Sequence, residues 1–465
     1  MRDLAFRKGL LSPFSFGAGL LLLALSPLIR GGNRHVALIA LEWLALLVLG
    51  CLLTQHLLGT HQSPIAASTQ DDFCPRLSIL DWFLLLSPAV TALLFLTPVP
   101  VALWRELPGR DVYLPAISSS WLPITLTPDA TAASLLASLP IAATFLWSRH
   151  ASSAQFKLIP IVLVMLAVVQ AIWGLLQVGP FKGLYFDAEF AGNAIGSFAN
   201  ANHFANYLGM CLPLAVFLLW QSLPALQSRK TVQHPGAIAL WSVTLFVILA
   251  GLLASASRTG SASALVVMAT TLAILFWLSP TGDRTRGGPL LAAGGLLLAV
   301  LVAVGSSTFL SRLSTGSLGP DVALRWQEIS SSWQGVKAFW PVGAGPGSFA
   351  LVYPQFQAPG MVGFLEHTHN DYVQLWFEMG ALSVALMGVL IWVLLRQARK
   401  LWRDAGQQPN SDDLTNIKLQ LCCGAGALAI AMHSLLDFNL HIPTNAMLAA
   451  CLLGGFMRPS QSTET

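Results

Sequence analysis

Long apolar runs separated by short polar segments make up most of the chain. A helix needs roughly 20 apolar residues to cross a bilayer. Runs of about that length cover residues 10–29, 36–58, 78–97, 130–147, 158–178, 203–220, 237–254, 259–278, 289–306, 371–395, 415–435 and 442–457. The pattern predicts an all-α polytopic membrane protein with about 12 transmembrane helices, in which residues 1–465 form a single integral membrane domain.

Composition supports a membrane protein and removes other classes. The chain is 55% hydrophobic and 10% charged, whereas soluble domains carry about 25% charged residues. A net charge of +4 is too small to indicate a nucleic-acid partner. The basic start at Arg2, Arg7 and Lys8 resembles a signal peptide, but more spans follow, so an uncleaved first helix is expected. The cysteines indicate neither a disulfide nor a zinc site, because most lie in apolar runs and Cys74 stands alone in a loop.

The positions of lysine and arginine orient the helices, because cytoplasmic loops carry an excess of these residues. With both termini in the cytoplasm, the short inner loops hold Arg149, Lys157, Arg229, Lys230, Arg284, Arg286, Arg396, Arg399, Lys400 and Arg403. Loops 98–129, 179–202 and 307–370 then face outward, together with a tight turn at Arg258. The sequence thus predicts one long outer loop, residues 307–370, that carries short amphipathic helices.

One amphipathic helix is predicted inside this long loop. Its apolar stripe follows helical spacing and is rich in tryptophan, which suits a membrane interface: Val322, Trp326, Ile329, Trp333, Val336 and Trp340. Asp321 is the predicted N-cap, and Pro341 is the predicted stop. Arg325 and Glu328 lie off the stripe, where an i,i+3 ion pair on a solvated face is the simplest interpretation.

The glycines of WPVGAGPGSFALVYPQF, residues 340–356, indicate a tight backbone turn at the membrane surface. A nucleotide-binding loop is disfavoured, because no βαβ unit surrounds them and Pro346 removes a backbone donor. No Asp-x-Asp pair lies in an outward loop, so neither a metal site nor metal-dependent sugar transfer is expected.

The stretch EHTHNDYVQLWFEMG places histidines at the head of an apolar run. Thr368 to Asp371 fits a capping box with Thr368 as the N-cap, which puts His369 in the first helical turn. The positive end of the helix dipole disfavours a protonated ring there, so a neutral His369 could accept a proton from a hydroxyl. An interfacial histidine that only caps the helix is the alternative.

Asn370, Gln374 and Glu378 recur every four residues after that start, so they share one helix face. In a membrane such a face turns towards protein or a wet cavity. Glu378 is either a substrate contact or a buried carboxyl that is hydrogen-bonded to a neighbouring helix. His367 is either a loop residue or a substrate contact.

Other polar groups lie near the predicted outer helix ends. Arg258, in SASRTGS, suits phosphate oxygens through its guanidinium, with an extension to lipid headgroups as the alternative. GSFANANHFANYL offers Asn202 and His203 for sugar hydrogen bonds, with helix capping by Asn202 as the alternative. His433 and Asp437 are four residues apart, a spacing that permits a hydrogen-bonded pair.

These motifs and their order resemble the O-antigen ligase and polymerase superfamily of bacterial inner membranes. The similarity is carried by GSFANANHFANYL, SASRTGS, RWQEISSSWQGVKAFWPVGAGPGSF and HTHNDYVQLWFEMGAL, in that order. The later HSLLDFNLHIPTNA resembles a stretch of many members. The resemblance covers residues 160–457 and implies a GT-C-like membrane fold with residues 307–370 as a periplasmic loop.

The resemblance also implies an activity. Members transfer a glycan from undecaprenyl diphosphate to an acceptor hydroxyl at the periplasmic face, without a metal or cofactor. His369 matches the histidine that activates the acceptor, although HTHN also offers His367. Arg258 and Arg325 match the arginines that bind the diphosphate, and one base with one displacement predicts inversion at the anomeric carbon. The residues left for substrate binding are His367, Asn370, Asn202, His203 and Glu378.

Several functions stay open within and beside this interpretation. Ligation of the glycan to lipid A–core is favoured over polymerisation on a growing glycan, and that over transfer to protein. The expected partners are the lipid-linked donor, one of these acceptors and membrane lipid.

A transporter or flippase is a different class of protein and would use Glu42, Asp81, Glu378 and Asp437 as a path for protons or substrate. It is disfavoured because the polar chemistry clusters at one face and no inverted repeats are apparent. A non-catalytic assembly scaffold is the third alternative.

Overall fold

The computed structural model describes residues 2–59, 77–178, 192–223, 235–279, 320–361, 363–407 and 409–459. The α-helices are α1 (Arg2–Leu25), α2 (His35–Gly59), α3 (Ile79–Leu96), α4 (Val101–Trp104), α5 (Pro128–Arg149), α6 (Ser153–Val178), α7 (Ala201–Ser222), α8 (Pro235–Ala254), α9 (Arg258–Trp277), α10 (Pro320–Phe339), α11 (Phe349–Val352), α12 (Asp371–Gly406), α13 (Ser411–His433) and α14 (Pro443–Phe456). Strands β1 (Pro98–Pro100) and β2 (Trp121–Pro123) pair antiparallel. Single 3-10 turns cover Ser26–Leu28, Arg30–Gly32, Asp111–Ala116, Tyr353–Phe356 and Asn439–His441.

The helical membrane architecture is confirmed in its main features. Within the described ranges, nine helices are long and apolar enough to cross a membrane, and two shorter apolar helices cover Pro13–Leu28 and Pro443–Phe456. Every predicted run coincides with one of these helices except residues 289–306, which lie outside the described residues. Also outside them lie Cys74 and the inner-loop residues Arg229, Lys230, Arg284 and Arg286.

Helix α7 lies at the centre of the bundle, and its apolar window is 100% buried. Helices α6, α8, α9 and α13 pack around it. Gly260 of α9 faces Ala205 of α7, and Gly426 of α13 faces the backbone carbonyl of Met210. Small residues let helix backbones approach closely, which stabilises helix association where lipid supplies no hydrophobic driving force.

The loop between α3 and α5 packs against the glycine-rich segment 340–348. The fully buried Arg110 donates hydrogen bonds to the carbonyls of Ile124 and Gly343, at 2.7 and 3.1 Å. Burial lowers the pKa of Arg110 to about 10. The φ angles of Gly343 and Gly345 are 90° and 115°, values that favour glycine. The predicted tight turn in this segment is therefore confirmed.

Helix α12 is interrupted at Gly380, whose φ of 52° and ψ of −132° are not helical. Backbone groups at membrane depth need partners from the protein itself. The glycine-rich turn supplies them through three hydrogen bonds: Ala344 N to Phe377 O at 3.0 Å, Gly345 N to Glu378 O at 2.8 Å, and Ala381 N to Pro341 O at 2.8 Å. The turn is thus part of the hydrogen bonding of the long helix.

Helix α10 ends at Phe339, close to the predicted stop, but Asp321 lies inside it and is not its N-cap. The apolar stripe faces the protein core only in part: Trp326 and Trp333 are 71% and 42% exposed, whereas Val336 of the same stripe is buried. The buried face consists of small and polar residues together with apolar ones: Glu328, Ser331, Ser332, Gly335, Val336 and Phe339. The prediction that Glu328 lies on a solvated face is therefore wrong. In a membrane protein an apolar stripe can face lipid or the interface, where tryptophan is favoured.

Candidate active site

A histidine and a carboxylate from two different elements meet at the start of α12. His369 Nδ1 lies 2.5 Å from Glu328 Oε2, and these side chains are 20% and 10% exposed. An ionised carboxylate only accepts hydrogen bonds, so Nδ1 carries a hydrogen, and in the neutral ring the lone pair is then on Nε2. The i,i+3 ion pair expected between Glu328 and Arg325 is therefore wrong, because Glu328 pairs with His369. A fixed tautomer with a free Nε2 is what a general base needs.

The start of α12 differs from the predicted capping box. Asn370 is the N-cap, and its Oδ1 accepts from the amides of Tyr372 and Val373, both at 3.0 Å. Thr368 is not the cap, and His369 precedes the helix and does not lie in its first turn. The predicted effect of the helix dipole on the charge of His369 relied on a position inside the first turn, which His369 does not occupy. Its ring is held by Glu328. Asn370 also donates through Nδ2 to the carbonyl of Leu435, at 2.9 Å.

Arg325 lies one turn before Glu328 and faces the segment between α13 and α14. Its Nη1 donates to the carbonyl of Leu436 at 3.2 Å, and its Nη2 lies 3.9 Å from Asp437 Oδ2. The Arg325 side chain is 32% exposed, whereas that of Asp437 is 1% exposed. The buried carboxylate holds the arginine at the edge of the site, and part of the guanidinium remains open to a ligand.

A polar network connects Asp437 with the start of α9. Asn202 Nδ2 donates to Asp437 Oδ2 at 2.8 Å, and Ser257 Oγ donates to Asn202 Oδ1 at 2.7 Å. Ser257 is the N-cap of α9, and the next residue is Arg258, which is exposed and forms no ion pair with any other described residue. Asn200, not Asn202, caps α7. The predicted site residues Asn202, His203 and Arg325 are thus brought together around Asp437, and Arg258 directly follows Ser257 of the same network.

Phe438 lies among three imidazole rings that come from separate parts of the chain. Its ring centroid is 4.8 Å from that of His203, 5.1 Å from that of His367 and 5.3 Å from that of His369. His203 Nε2 also lies 3.7 Å from Asp437 Oδ1. No sequence signal selected Phe438, because a phenylalanine in an apolar segment carries no chemical signal of its own.

The polar face of α12 forms a buried ladder beside the site. Gln374 Nε2 lies within 3.2 Å of His367 Nδ1, His441 Nε2 and Glu378 Oε1. Asp371 Oδ1 accepts from His441 Nδ1 at 2.7 Å. An amide has two hydrogens for these three neighbours, so Gln374 Nε2 cannot donate to all of them at once.

The charge states of this ladder follow from burial and from neighbouring charges. Burial, reinforced by the charge of His441, lowers the pKa of His367 well below its usual range. Burial also acts to lower the pKa of His441, but the hydrogen bond and charge of Asp371 outweigh it and raise that pKa. A neutral His367 that accepts from Gln374 at Nδ1 has its hydrogen on Nε2. It is therefore a poor base in this arrangement, whereas His369 has a free Nε2.

The Glu378 carboxyl binds backbone amides. Its Oε2 accepts from the amide of Gly347 at 2.9 Å, and its Oε1 lies 3.3 Å from the amide of Phe349. The carboxyl was expected to bind a neighbouring helix, but its partners lie in the glycine-rich segment and at the start of α11. With its oxygens occupied by backbone donors, Glu378 holds the wall of the site.

The expected pair of His433 and Asp437 does not form. Both ring nitrogens of His433 lack a hydrogen-bond partner among the described residues. Helix α13 ends at His433, so the helical spacing to Asp437 is lost. Burial acts to raise the pKa of Asp437, but the hydrogen bond of the adjacent His203 and the charge of Arg325 hold this pKa well below its usual range.

The carboxylates considered for a transport path have separate partners. Asp81 lies in the first turn of α3. It binds Arg149 at the end of α5 and lies 3.3 Å from His150, the next residue. Asp437 binds Asn202, and Glu378 binds the glycine-rich segment. Among the described residues, no hydrogen bond joins these carboxylates to each other or to Glu42.

Comparison with known proteins adds a family to this geometry. Residues 243–388 match the family model described as O-antigen ligase. This segment belongs to the O-antigen ligase family. The resemblance inferred from the sequence motifs is therefore confirmed. No curated protein matches the chain.

The O-antigen ligase segment contains Arg258, Arg325, Glu328 and His369, whereas Asp437 and its partners Asn202 and His203 lie outside it. The family implies ligase- or polymerase-type activity on lipid-linked glycans in a membrane. The helices flanking the matched segment complete the network around Arg325, so the site extends beyond the matched residues.

Proposed function

We propose that this protein transfers a glycan from undecaprenyl diphosphate to an acceptor hydroxyl, without a metal ion, at the periplasmic face of a bacterial inner membrane. The observation that carries the proposal is the hydrogen bond between Glu328 and His369, one helical turn from Arg325 and within the O-antigen ligase segment. In this proposal about 12 helices form a GT-C-like fold, with residues 160–457 as the ligase region and residues 307–370 as its periplasmic loop.

In the proposed reaction His369 acts as the general base. Its Nδ1–H donates to Glu328, and its Nε2 takes the proton of the acceptor hydroxyl as that oxygen bonds to the anomeric carbon. The bond from this carbon to the diphosphate oxygen breaks, and the diphosphate leaves with the electron pair. A single displacement inverts the configuration at the anomeric carbon; a retaining route would need a carboxylate nucleophile.

The leaving diphosphate gathers negative charge, which Arg258 and Arg325 stabilise in this proposal. A guanidinium suits this task because its donors match two phosphate oxygens at once. The absence of an ion pair at Arg258 among the described residues, and the partial exposure of Arg325, support a ligand as their partner. Fixed positive charge at the point where negative charge develops lowers the barrier of the chemical step.

Surface polysaccharide ligation to lipid A–core is the proposed reaction, ahead of repeat-unit polymerisation and transfer to protein. The experiment is deletion of the gene in its host, with surface glycan separated on a polysaccharide gel. A ligase predicts loss of glycan-capped lipid A–core while free polymer is retained. Single-repeat product would instead indicate a polymerase, and an unchanged lipid A–core pattern with loss of a glycoprotein would indicate transfer to protein.

Complementation of the deletion strain tests the base. His369→Ala should abolish transfer, because loss of a general base costs about 10²–10⁴-fold in rate. His367→Ala is the matched control, two residues away, and should lose less activity. Purified wild-type protein should keep its activity with the lipid diphosphate donor in chelator. Near-normal transfer by His369→Ala at matched expression would remove this residue from the mechanism.

A further inference from the structure

A basic cavity lies at the end of α12 that is opposite the candidate active site. Its volume is about 710 Å³, and its cationic lining comes from α5, α12 and the residues after α14: Arg149, Arg396, Lys400, Arg403 and Arg458. Asp404 is the one carboxylate in the lining. Cations from three separate segments thus surround one space, with a strong excess of positive charge.

Two of these cations are held in place by the protein. Arg149 Nε lies 2.6 Å from Asp81 Oδ1, and both side chains are buried. The guanidinium carbon of Arg458 lies 4.7 Å from the ring centroid of Phe156, a cation–π contact. Because these guanidinium groups are fixed before any ligand arrives, a bound anion would meet a partly preorganised set of donors.

An apolar groove of about 320 Å³ adjoins the basic cavity. The two spaces share the lining residues Leu80, Val393 and Met457. The rest of the groove is lined almost entirely by apolar side chains from α3, α5, α12 and α14, among them Phe83, Ile141 and Leu390. A cationic chamber that continues into an apolar groove matches a molecule with an anionic head and a hydrocarbon tail.

The position along α12 fits the depth of a lipid headgroup. The break at Gly380 leaves a continuous helix from Ala381, and its apolar residues end at Leu395, directly before Arg396. Charged side chains are costly within the hydrocarbon of a bilayer. Arg396 and the residues after it therefore lie at the headgroup level of the leaflet opposite the candidate active site.

We propose that this cavity and groove form a binding site for an anionic phospholipid, with the phosphate among the arginines and an acyl chain in the groove. Basic pockets between transmembrane helices bind phosphate headgroups in this way. The positive-inside rule alone would place cations at the ends of these helices, but it would not require them to line one shared cavity. Arg399 marks the difference, because it belongs to the same basic run but does not line the cavity.

Native mass spectrometry of the full chain, titrated with phosphatidylglycerol or phosphatidylcholine, tests the proposal. Each cation near an anionic lipid surface contributes roughly a fivefold change in affinity. Arg396→Gln and Arg403→Gln should each weaken phosphatidylglycerol binding about fivefold. The matched control Arg399→Gln should stay close to wild type, and phosphatidylcholine should bind weakly to all of them. An equal loss in Arg399→Gln would overturn the proposal, because it would indicate general surface attraction.

Two further arms separate a lipid from a free phosphate. Ala142 lines the apolar groove but not the basic cavity, so Ala142→Phe should weaken phosphatidylglycerol binding. Inorganic phosphate at the same concentration should not displace the lipid. Displacement by inorganic phosphate, or full lipid affinity in Ala142→Phe, would overturn the lipid assignment. Melting temperatures in phosphatidylcholine serve to exclude misfolded variants.

Discussion

The charged side chains at the two ends of α12 differ in the partners that surround them. At its start, Asp371 binds His441, Glu378 binds backbone amides, and nearby His369 binds Glu328. At its other end, Arg396, Lys400 and Arg403 are spaced by four and three residues on one helix and line a cavity with two more arginines. At the first end the charged groups are held by hydrogen bonds and ion pairs, whereas the cavity at the second end has an excess of cations over carboxylates, although its Arg149 also binds Asp81.

This difference separates chemistry from binding. A general base needs a fixed tautomer and a fixed orientation. A paired group supplies both, and each partner then uses part of its hydrogen-bonding capacity on the other. A site for an anion needs charge that no neighbour neutralises. Variants that remove a charge from the first end and variants that remove a cation from the excess at the second end should therefore differ in sign as well as in size.

Removal of the arginines beside the site should have the largest effect. Arg325→Ala and Arg258→Ala should each lower turnover about 10²–10³-fold, because charge on the leaving diphosphate loses its stabilisation. Donor affinity should also fall, which distinguishes these variants from His369→Ala. Arg258→Lys should recover only part of the activity, because an ammonium cannot form the bidentate contact. The measurement is single-turnover transfer together with donor binding, and unchanged donor affinity in both alanine variants would contradict the assignment.

Glu328 should act through His369 and not through the substrate. Glu328→Gln should lower kcat about 10–10²-fold with little change in KM for the donor, because the carboxylate that orients the base is lost. Glu328→Asp should recover part of the rate. Ser332→Ala is a control on the same buried helix face, since the one hydrogen bond of the Ser332 side chain to the described residues goes to the backbone carbonyl of Glu328. A change in KM alone would place Glu328 in substrate binding.

Loss of the Glu378 carboxylate should destabilise the fold more than it alters chemistry. Glu378→Gln replaces a charged acceptor of two backbone amides by one with a competing donor, at a cost of about 1–3 kcal/mol. Thermal unfolding in detergent should show a lower melting temperature than wild type. Glu366→Gln carries the same charge change at an exposed position and should melt like wild type. Equal melting temperatures for Glu378→Gln and Glu366→Gln would show that the Glu378 carboxylate does not stabilise the glycine-rich turn.

The smallest effect should carry the opposite sign. Arg403 follows Lys400 by three residues, and like charges at this spacing destabilise a helix by roughly 0.2–0.5 kcal/mol. In delipidated, uncharged detergent, Arg403→Gln should therefore raise the melting temperature slightly. Lys157→Gln is the comparison, because it removes a cation that lies 3.9 Å from Asp412 and should not stabilise. A lower melting temperature for Arg403→Gln would show that a partner neutralises this charge.

Most of the fold followed from the sequence, because membrane spans are set by the length and continuity of apolar runs. Helix caps were predicted less well, since several polar residues compete for each end. Asn370 caps α12 where Thr368 was expected, and Asn200 caps α7 where Asn202 was considered. On α10, Glu328 was wrongly placed on a solvated face, because periodicity finds an apolar stripe but does not show which of the other faces packs against the protein.

The motifs selected His369, Arg258 and Arg325, but their mutual arrangement could not be predicted. Glu328 lies 41 residues before His369, and no local pattern joins them. Asp437 was expected to bind His433, yet its partners come from α7 and α10. Such contacts depend on how helices far apart in sequence pack together, which a single sequence does not encode in any local signal.

The interruption of α12 at Gly380 has a consequence for amide exchange. The amides of Ala344, Gly345 and Ala381 bond across the break, so the glycine-rich turn and the helix share hydrogen bonds. A loop that depends on a helix for its hydrogen bonds opens together with it, as one cooperative unit. These amides should exchange with deuterium at one common rate, and slowly for a loop. The wall of the site would then be as persistent as the transmembrane helix it completes.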